Sequence, residues 1–241
     1  MCAVVTGPAR TCWGDNTDFA LGLATAQDDA PIAMVPGTWS QVALGVGFGC
    51  SIGDLGDVAC WGSDRDGQRG DGTGVTAPSA AEGLINLGTP VQPVTALAAA
   101  FRGTHACAVR EGALWCWGDG NAYALGTGDD VDRFTPAPVT VPASAQWTAI
   151  TAGARATCGV HAGALYCWGT NDARQLGVAS VDPISRPRQI DAGPGWTAVS
   201  AGTTHACGIK AGALYCWGLS RFGAIGVPGA HNHATPVAPL P

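Results

Sequence analysis

The sequence predicts an all-β fold, a β-propeller of about five four-stranded antiparallel blades, of which the first is incomplete. Three observations predict it. One short phrase recurs five times, roughly fifty residues apart, and such a period marks a repeat protein. The repeats consist of short runs of β-forming residues divided by glycine, and no long segment has helical periodicity. The phrase stands at Cys12-Trp13-Gly14, Cys60-Trp61-Gly62, Cys116-Trp117-Gly118, Cys167-Trp168-Gly169 and Cys216-Trp217-Gly218.

We expect residues 1–241 to form a single propeller domain. The repeats fall at approximately 1–37, 38–93, 94–146, 147–195 and 196–241. The first copy is partial because Met1-Cys2 already lies within the hairpin, so its leading strand is missing. The last copy is the clearest. It opens with a strand at Trp196, continues through a hairpin to Cys216-Trp217-Gly218, and ends with a polar, Gly-rich stretch.

Composition excludes several classes of function. The 241 residues carry a net charge of −6, only 12% of them are charged, and Lys210 is the sole lysine. Nucleic-acid binding requires clustered cations, so we expect no such partner. No apolar run is long enough for membrane insertion, and the first ten residues lack the layout of a signal peptide.

The cysteines predict the register of each hairpin. They form five pairs separated by eight or nine residues, and centring each pair across a hairpin places its turn. Three centres fall on two-residue X-Gly turns, and two fall on three-residue loops that contain glycine. The turns are Glu111-Gly112, Ala162-Gly163 and Ala211-Gly212, and the loops are Thr6-Gly7-Pro8 and Asp54-Leu55-Gly56.

Directly opposed strand residues are close enough for a disulfide, so we interpret the pairs as five cross-strand disulfides. The alternatives are buried free thiols in a reducing cell and, less favoured because of the spacing, zinc sites. Disulfides indicate an extracellular, cell-surface or periplasmic location. The pairs are Cys2/Cys12, Cys50/Cys60, Cys107/Cys116, Cys158/Cys167 and Cys207/Cys216.

Both faces of each hairpin are apolar. In the third repeat Cys107 and Cys116 share one face, and Trp115 and Trp117 point to the other. A helix-free sheet covered on both faces packs against neighbouring sheets, and radial stacking of blades achieves this. A straight solenoid is the second architecture, but the repeat length favours the ring.

At these residues the chain resembles the regulator of chromosome condensation repeat family. The family pattern appears as Trp196, Ala201-Gly202, His205 and Trp217-Gly218, and again in Gln175-Leu176-Gly177. The resemblance covers essentially the whole chain, and the cysteine-paired form is similar to secreted bacterial proteins. It implies a propeller, commonly of seven blades. With five phrases here, two expectations stay open: a segment of a longer propeller, or a five-bladed ring whose first blade is a strand short.

The segments that follow each Trp-Gly vary most between repeats, and variable loops on a rigid scaffold commonly carry recognition. We find no catalytic, cofactor or metal motif and expect none of these sites. Arg69-Gly70-Asp71 spells an adhesion tripeptide, but we expect an ordinary turn there. The candidate partner-binding residues are Asp15, Asn16, Phe19, Asp64, Arg65, Arg69, Asn121, Tyr123, Asn171, Arg174, Arg221 and Phe222.

These observations favour a non-enzymatic, extracytoplasmic binding scaffold whose loops recognise a protein or a glycan. The resemblance implies a narrower alternative, an inhibitor of a secreted enzyme such as a β-lactamase, with a hot spot at Tyr123, Arg174, Arg221 or Phe222. A hydrolytic enzyme on a propeller scaffold is a third possibility. Nucleotide exchange on a small GTPase, the founding activity of the family, suits a cytosolic or nuclear protein and finds no support in this acidic, cysteine-paired chain.

Overall fold

A computed structural model shows an all-β chain built from five antiparallel sheets. It describes residues 2–4, 9–23, 32–36, 39–87, 92–141, 146–191, 193–226 and 232–237. The first sheet has three strands in the order β1-β2-β3, and each later sheet has four strands in sequence order. The expected blades are therefore confirmed, and in the described residues the first blade has three strands.

The strands of the first two sheets are β1 (Cys2–Val4), β2 (Ala9–Cys12) and β3 (Ile32–Pro36), then β4 (Trp39–Leu44), β5 (Phe48–Gly53), β6 (Val58–Gly62) and β7 (Ser79–Leu84). Those of the third sheet are β8 (Val94–Ala99), β9 (His105–Arg110), β10 (Ala113–Gly118) and β11 (Arg133–Val139). Those of the last two are β12 (Trp147–Ala152), β13 (Ala156–His161), β14 (Ala164–Gly169) and β15 (Ile184–Asp191), then β16 (Trp196–Ala201), β17 (His205–Lys210), β18 (Ala213–Leu219) and β19 (Asn232–Val237).

All five expected disulfides form, and each joins residues that face each other across a hairpin. The X-Gly turns are also confirmed. Glu111 and Gly112 have φ of 52° and 72°, and the other two X-Gly turns repeat these values closely. Two consecutive positive φ angles define a type I′ turn, which matches the twist of the flanking strands. The loop at residues 54–56 forms as expected, whereas Thr6-Gly7-Pro8 lies outside the described residues.

Successive blades pack through the repeated tryptophan. Trp117 is fully buried in one apolar cluster with Cys50 and Cys60, which form the disulfide of the preceding blade. Trp168 meets the third blade's disulfide in the same way, and Trp217 meets the fourth blade's. The two faces of the β9–β10 hairpin therefore enter different clusters, as the alternation of its residues predicts.

The N–H group of each of these indoles finds its hydrogen-bond acceptor in the preceding blade. Nε1 of Trp61, Trp117, Trp168 and Trp217 donates a hydrogen bond of 2.8–3.0 Å to the carbonyl of Ala20, Gln68, Ala124 and Gln175, respectively. A buried indole N–H needs such a partner. The glycine two residues after the acceptor makes room for the ring, since a Cβ on Gly70 would lie 2.6 Å from Cδ1 of Trp117.

The glycine of each Cys-Trp-Gly phrase is required by its backbone. Gly118 has φ of 95°, and a Cβ there would collide with the carbonyl oxygen of Thr104. Gly62, Gly169 and Gly218 meet the equivalent carbonyl in their own blades. This close approach holds the end of the third strand against the turn that joins the first two strands.

The disulfide-bearing face of the fifth sheet differs from those before it. Val109 and Leu114 of the third blade are at most 1% exposed, because the fourth blade covers them. Their counterparts Ile209 and Leu214 in the fifth blade are 39% and 48% exposed.

Candidate recognition face

One end of the blades is built from two kinds of connection, which we call the loop face. The first kind is the turns between first and second strands, at residues 45–47, 100–104, 153–155 and 202–204. The second is the loops after each Trp-Gly, described at residues 15–23, 63–78, 119–132, 170–183 and 220–226. Backbone hydrogen bonds join them, for example from Asp119 N to Thr104 O at 3.0 Å.

Turns of neighbouring blades are also fixed to each other. Val46 N donates to Gly103 O at 3.0 Å, and Phe101 N donates to Ala152 O at 3.1 Å. A Cβ on Gly103 would collide with the carbonyl oxygen of Ala154 in the next turn. The floor of the loop face is therefore a continuous, backbone-bonded layer across blades two to four.

A depression of about 480 Å³ opens in the middle of this layer. Its wall combines two exposed cations, two carboxylates and several hydroxyls from blades three to five, and Val46 closes it on the second blade. The charged residues are Arg102, Arg155, Asp119 and Asp172. A second depression of about 360 Å³ lies beyond Val46 and is lined by Asp15 and Asp18.

Three of the candidate residues lie beneath the surface and hold their loops. Asn16, Asp64 and Asn171 occupy equivalent positions and are at most 4% exposed. In each, a side-chain oxygen accepts the backbone N–H five residues ahead, at 2.8–2.9 Å. Burying these polar groups is tolerated because they are hydrogen-bonded. They shape the loop face but leave a partner little to contact.

Arg69 is buried as well, in the slot that leucine or isoleucine fills in the other repeats. Its guanidinium lies 3.2 Å from Asp71 and 3.6 Å from Asp64. Burial raises the pKa of the Asp64 carboxyl, although hydrogen bonding and the charge of Arg69 act in the opposite direction. The Arg69-Gly70-Asp71 tripeptide is therefore folded on itself rather than presented.

Seven of the remaining candidates are reachable. The exposed ones are Asp15, Arg65, Asn121 and Arg221, and the half-buried ones are Phe19, Tyr123 and Arg174. Phe222 lies in the short 3₁₀ turn Arg221–Gly223, and its side chain is outside the described part of the structure. The 3₁₀ turns Thr17–Phe19 and Asn121–Tyr123 occupy the same place in their own repeats.

Three half-buried candidates share an uncommon backbone conformation. Phe19, Tyr123 and Arg174 have φ of 59°, 63° and 60°. The same repeat position holds Gly67 and Gly223 in the other two blades. A side chain in this region costs roughly 1–2 kcal/mol relative to the usual conformations, and such strain concentrates at functional sites. Three large side chains are therefore kept where glycine is the unstrained choice.

Carboxylates crowd one side of the central depression. Burial raises the pKa of Asp66, and the neighbouring Asp119 and Asp132 carboxylates raise it further. Asp119 is held by its own loop, since it accepts hydrogen bonds from Asn121 N at 2.8 Å and from Thr104 Oγ1 at 3.2 Å. This side of the loop face is therefore acidic, and its Asp119 carboxylate is already hydrogen-bonded within the protein.

A buried polar chain lies under the junction of blades three and four. Nε2 of His105 is 2.9 Å from Oγ1 of Thr157, which itself donates to Ala124 O at 2.8 Å. The threonine has one proton and uses it on the carbonyl, so His105 must be the donor through Nε2–H. Burial lowers the pKa of His105 to about 4, against a smaller opposing effect of Asp119. The imidazole is therefore neutral at physiological pH.

Sequence reasoning missed Arg102 and Arg155, the two cations of the depression. Both stand in the turns between first and second strands, whereas the candidates were sought only after Trp-Gly. The sequence does carry one signal for these turns. Their residues differ between repeats, although the strand residues on either side recur. No single repeat, however, shows that turns from three blades converge.

Among the described residues there is no helix with the length and apolar character that a membrane span needs. Within the same ranges, no three His, Cys, Asp or Glu side chains come together in a way that could hold a metal ion.

The sequence profile of the regulator of chromosome condensation (RCC1) repeat matches residues 111–160 and 162–209. The chain is similar to the ultraviolet-B receptor UVR8 of Arabidopsis thaliana, with 31% identity over 188 residues that cover 75% of this chain and 41% of UVR8. It is 32% identical over 201 residues to the E3 ubiquitin-protein ligase HERC2 of Mus musculus, covering 79% of this chain and 4% of HERC2. The chain thus spans less than half the length of these curated relatives.

Solved structures share the fold. Human WBSCR16 superposes with a TM-score of 0.81 at 18% identity, over 98% of this chain and 62% of that one. Yeast RCC1 (Prp20), solved with bound Kap60, superposes with a TM-score of 0.82 at 17% identity, over 100% of this chain and 59% of that one. At 17–18% sequence identity, this structural similarity establishes the fold alone.

Proposed function

Because the chain carries repeats of the regulator of chromosome condensation family and folds as the propellers of that family do, we propose that it is a non-enzymatic binding scaffold that works outside the cytosol. Its loop face contacts a protein partner. One observation carries the proposal, the retention of Phe19, Tyr123 and Arg174 at a backbone position where two other repeats use glycine. Glycine would relieve the strain at this position, whereas a recognition loop gains a fixed, large side chain there.

The architecture supports this role. Backbone hydrogen bonds and repeated glycine contacts fix the turns beneath the loops, so the side chains project from a rigid base. A preorganised surface loses less conformational entropy on binding. Arg and Tyr are also the side chains that most often anchor protein interfaces. Yeast Prp20, a structural neighbour, is itself recorded with a bound protein, Kap60.

Two further features support the non-catalytic and extracytoplasmic parts of the proposal. Among the described residues that line the two depressions of the loop face there is no histidine or cysteine. The ten cysteines are all consumed in disulfides, and structural disulfides persist in oxidising compartments. The enzyme-inhibitor alternative would use the same face, since Tyr123 and Arg174 belong to its expected hot spot.

The test separates binding from folding. The immobilised whole chain captures proteins from a secreted and cell-surface fraction, and mass spectrometry quantifies them. The variant Tyr123→Gly/Arg174→Gly adopts the residue already present at Gly67 and Gly223, so relief of strain offsets lost ring packing. We expect at least one captured protein to fall about tenfold with this variant, the loss typical of removing interface anchors.

The matched control is Ala162→Gly/Ala211→Gly, which makes the same kind of change at positive φ in the hairpin turns, outside the loop face. It should capture the same proteins as the unmodified chain. Identical capture by all three proteins would overturn the proposal. So would a turnover activity of the purified chain that disappears on replacing a single polar loop residue.

A further inference from the structure

Within the proposed binding role, on which this inference rests, we infer that the central depression of the loop face binds carboxylate side chains from an acidic segment of the partner protein. The groups that assign this chemistry are the guanidinium groups of Arg102 and Arg155, which reach the same depression from neighbouring turns.

These two arginines differ from the other loop-face cations. Arg69 pairs with two aspartates, and Arg133 pairs with Asp129 at 2.7 Å. Across the described ranges, no ion pair or hydrogen bond engages the side chain of Arg102 or Arg155. Both are exposed. They are therefore available to an incoming anion without first breaking an internal pair.

The carboxylates in the same wall form no ion pair with these arginines in the described structure. Asp119 accepts hydrogen bonds from Thr104 and from Asn121, and Asp172 accepts one from Gln175 Nε2 at 3.0 Å. Both carboxylates are thus engaged by their own loops. Their charge lowers the general attraction for anions, so binding depends on direct contact rather than on the long-range field, which salt screens within about 8 Å.

Hydroxyl donors complete the site. Thr170, Thr203 and Thr204 line the depression, and none of their hydroxyls is bonded to another described residue. Guanidinium groups recognise carboxylates through paired N–H donors, and hydroxyls can satisfy the remaining oxygen lone pairs. A volume of about 480 Å³ accommodates one or two side chains. The described lining residues include no aromatic ring on which a sugar could stack, which favours a peptide over an acidic glycan.

The positions of the two arginines are fixed by backbone. Arg102 is held at φ of 59°, beside Gly103, which can be only glycine because its Cβ would meet the next turn. Arg155 follows Ala154 in that next turn. The backbone positions from which the two arginine side chains extend are therefore fixed before any ligand arrives, and binding orders only the side chains.

The probe is the blocked peptide acetyl-Gly-Glu-Glu-Gly-amide, titrated into the ¹⁵N-labelled whole chain and followed by NMR. Its isosteric control is acetyl-Gly-Gln-Gln-Gly-amide. We expect saturable shifts at residues 102–104, 154–155 and 203–204, and affinity about tenfold weaker for the glutamine peptide, as loss of charged hydrogen bonds predicts. The variant Arg102→Gln/Arg155→Gln should lose a similar factor, while Arg188→Gln on the outer strand β15 should bind like the unmodified chain.

Equal binding of the two peptides, or unchanged binding by Arg102→Gln/Arg155→Gln, would overturn the inference. If glucuronate binds more tightly than the glutamate peptide, the ligand is an acidic glycan and the inference is wrong. If inorganic phosphate binds more tightly than the peptide, the depression is a general anion site and the inference is also wrong. If the peptide fails while protein capture still depends on residues 123 and 174, the ligand class is wrong and the scaffold proposal stands. If capture is also insensitive to those residues, both are wrong.

Discussion

At the scale of single residues, a glycine in the second strand decides how the leading tryptophan packs. A Cβ on Gly159 would lie 2.7 Å from Cζ3 of Trp147, and Trp147 is 3% exposed. In the second blade Ser51 occupies this position, and Trp39 is only half-buried. The chain therefore couples the two positions. The equivalent pairs are Gly208 with Trp196 in the fifth blade and Ala108 with Val94 in the third.

This coupling predicts a non-additive pair of substitutions. Gly159→Ala should destabilise the chain by about 1–3 kcal/mol, because it overpacks the indole. In a Trp147→Val background, which imitates the third blade, the same change should cost at least about 1 kcal/mol less, because of the three nearest contacts only that with the carbonyl oxygen of Ala149, 2.9 Å from the added Cβ, remains. Urea unfolding followed by circular dichroism gives a coupling energy of at least about 1 kcal/mol. An equal loss of unfolding free energy in both backgrounds would show that the backbone, not the Trp147 ring, excludes a side chain at residue 159.

The neutral His105 predicts a pH dependence of stability. Its folded pKa of about 4 lies below the unfolded value near 6.5, so the unfolded state gains the proton first as pH falls. The stability that His105 contributes is complete above pH 6.5 and is lost between 6.5 and 4. His105→Gln keeps an N–H donor for Thr157 but does not titrate.

Urea unfolding of both proteins isolates this effect from the titration of carboxylates. Between pH 7 and pH 5 the unmodified chain should lose about 2 kcal/mol more unfolding free energy than His105→Gln. A difference between the two proteins that is constant across this range would contradict the buried, neutral imidazole.

At the scale of elements, the hairpin was the part most accessible from sequence. The pairing of cysteines and the position of an X-Gly turn are independent signals, and they agree on one register for hairpins such as β9–β10. The 3₁₀ turns in the loops were not foreseen, because their residues carry no periodic pattern. Gly126, which follows the 3₁₀ turn Asn121–Tyr123, packs against Trp168 of the next blade, and a single repeat does not reveal that contact.

The type I′ turns predict a stabilising substitution. Ala211 has φ of 49° and is exposed, and asparagine tolerates this conformation better than alanine. Ala211→Asn should raise the free energy of unfolding by about 0.5–1 kcal/mol. The matched control Ala213→Asn, two residues later in β18, should bring no gain, since strands disfavour asparagine. An equal increase in the free energy of unfolding for both variants would show that the turn conformation is not the cause.

At the scale of the whole molecule, the order of blades follows from the sequence, but the loop face does so only in part. Each tryptophan covers the preceding disulfide, so apolar alternation within one repeat was enough to foresee stacking. The sequence predicts Asn16 and Asn171 as partner-binding loop residues, yet both are buried and hold their loops through hydrogen bonds. Burial of that kind depends on a turn that forms only in three dimensions. Arg102 and Arg155 meet through neighbouring blades, which no single repeat encodes.

The blades and the proposed location both depend on five disulfide-bridged hairpins that form in an oxidising compartment. Mass spectrometry of protein isolated from its native source, denatured without reductant and treated with an alkylating agent, tests this directly. We predict no alkylated cysteine, and digestion should release five linked peptide pairs, Cys107 with Cys116 among them. Ten alkylated cysteines, or links between different hairpins, would contradict the account.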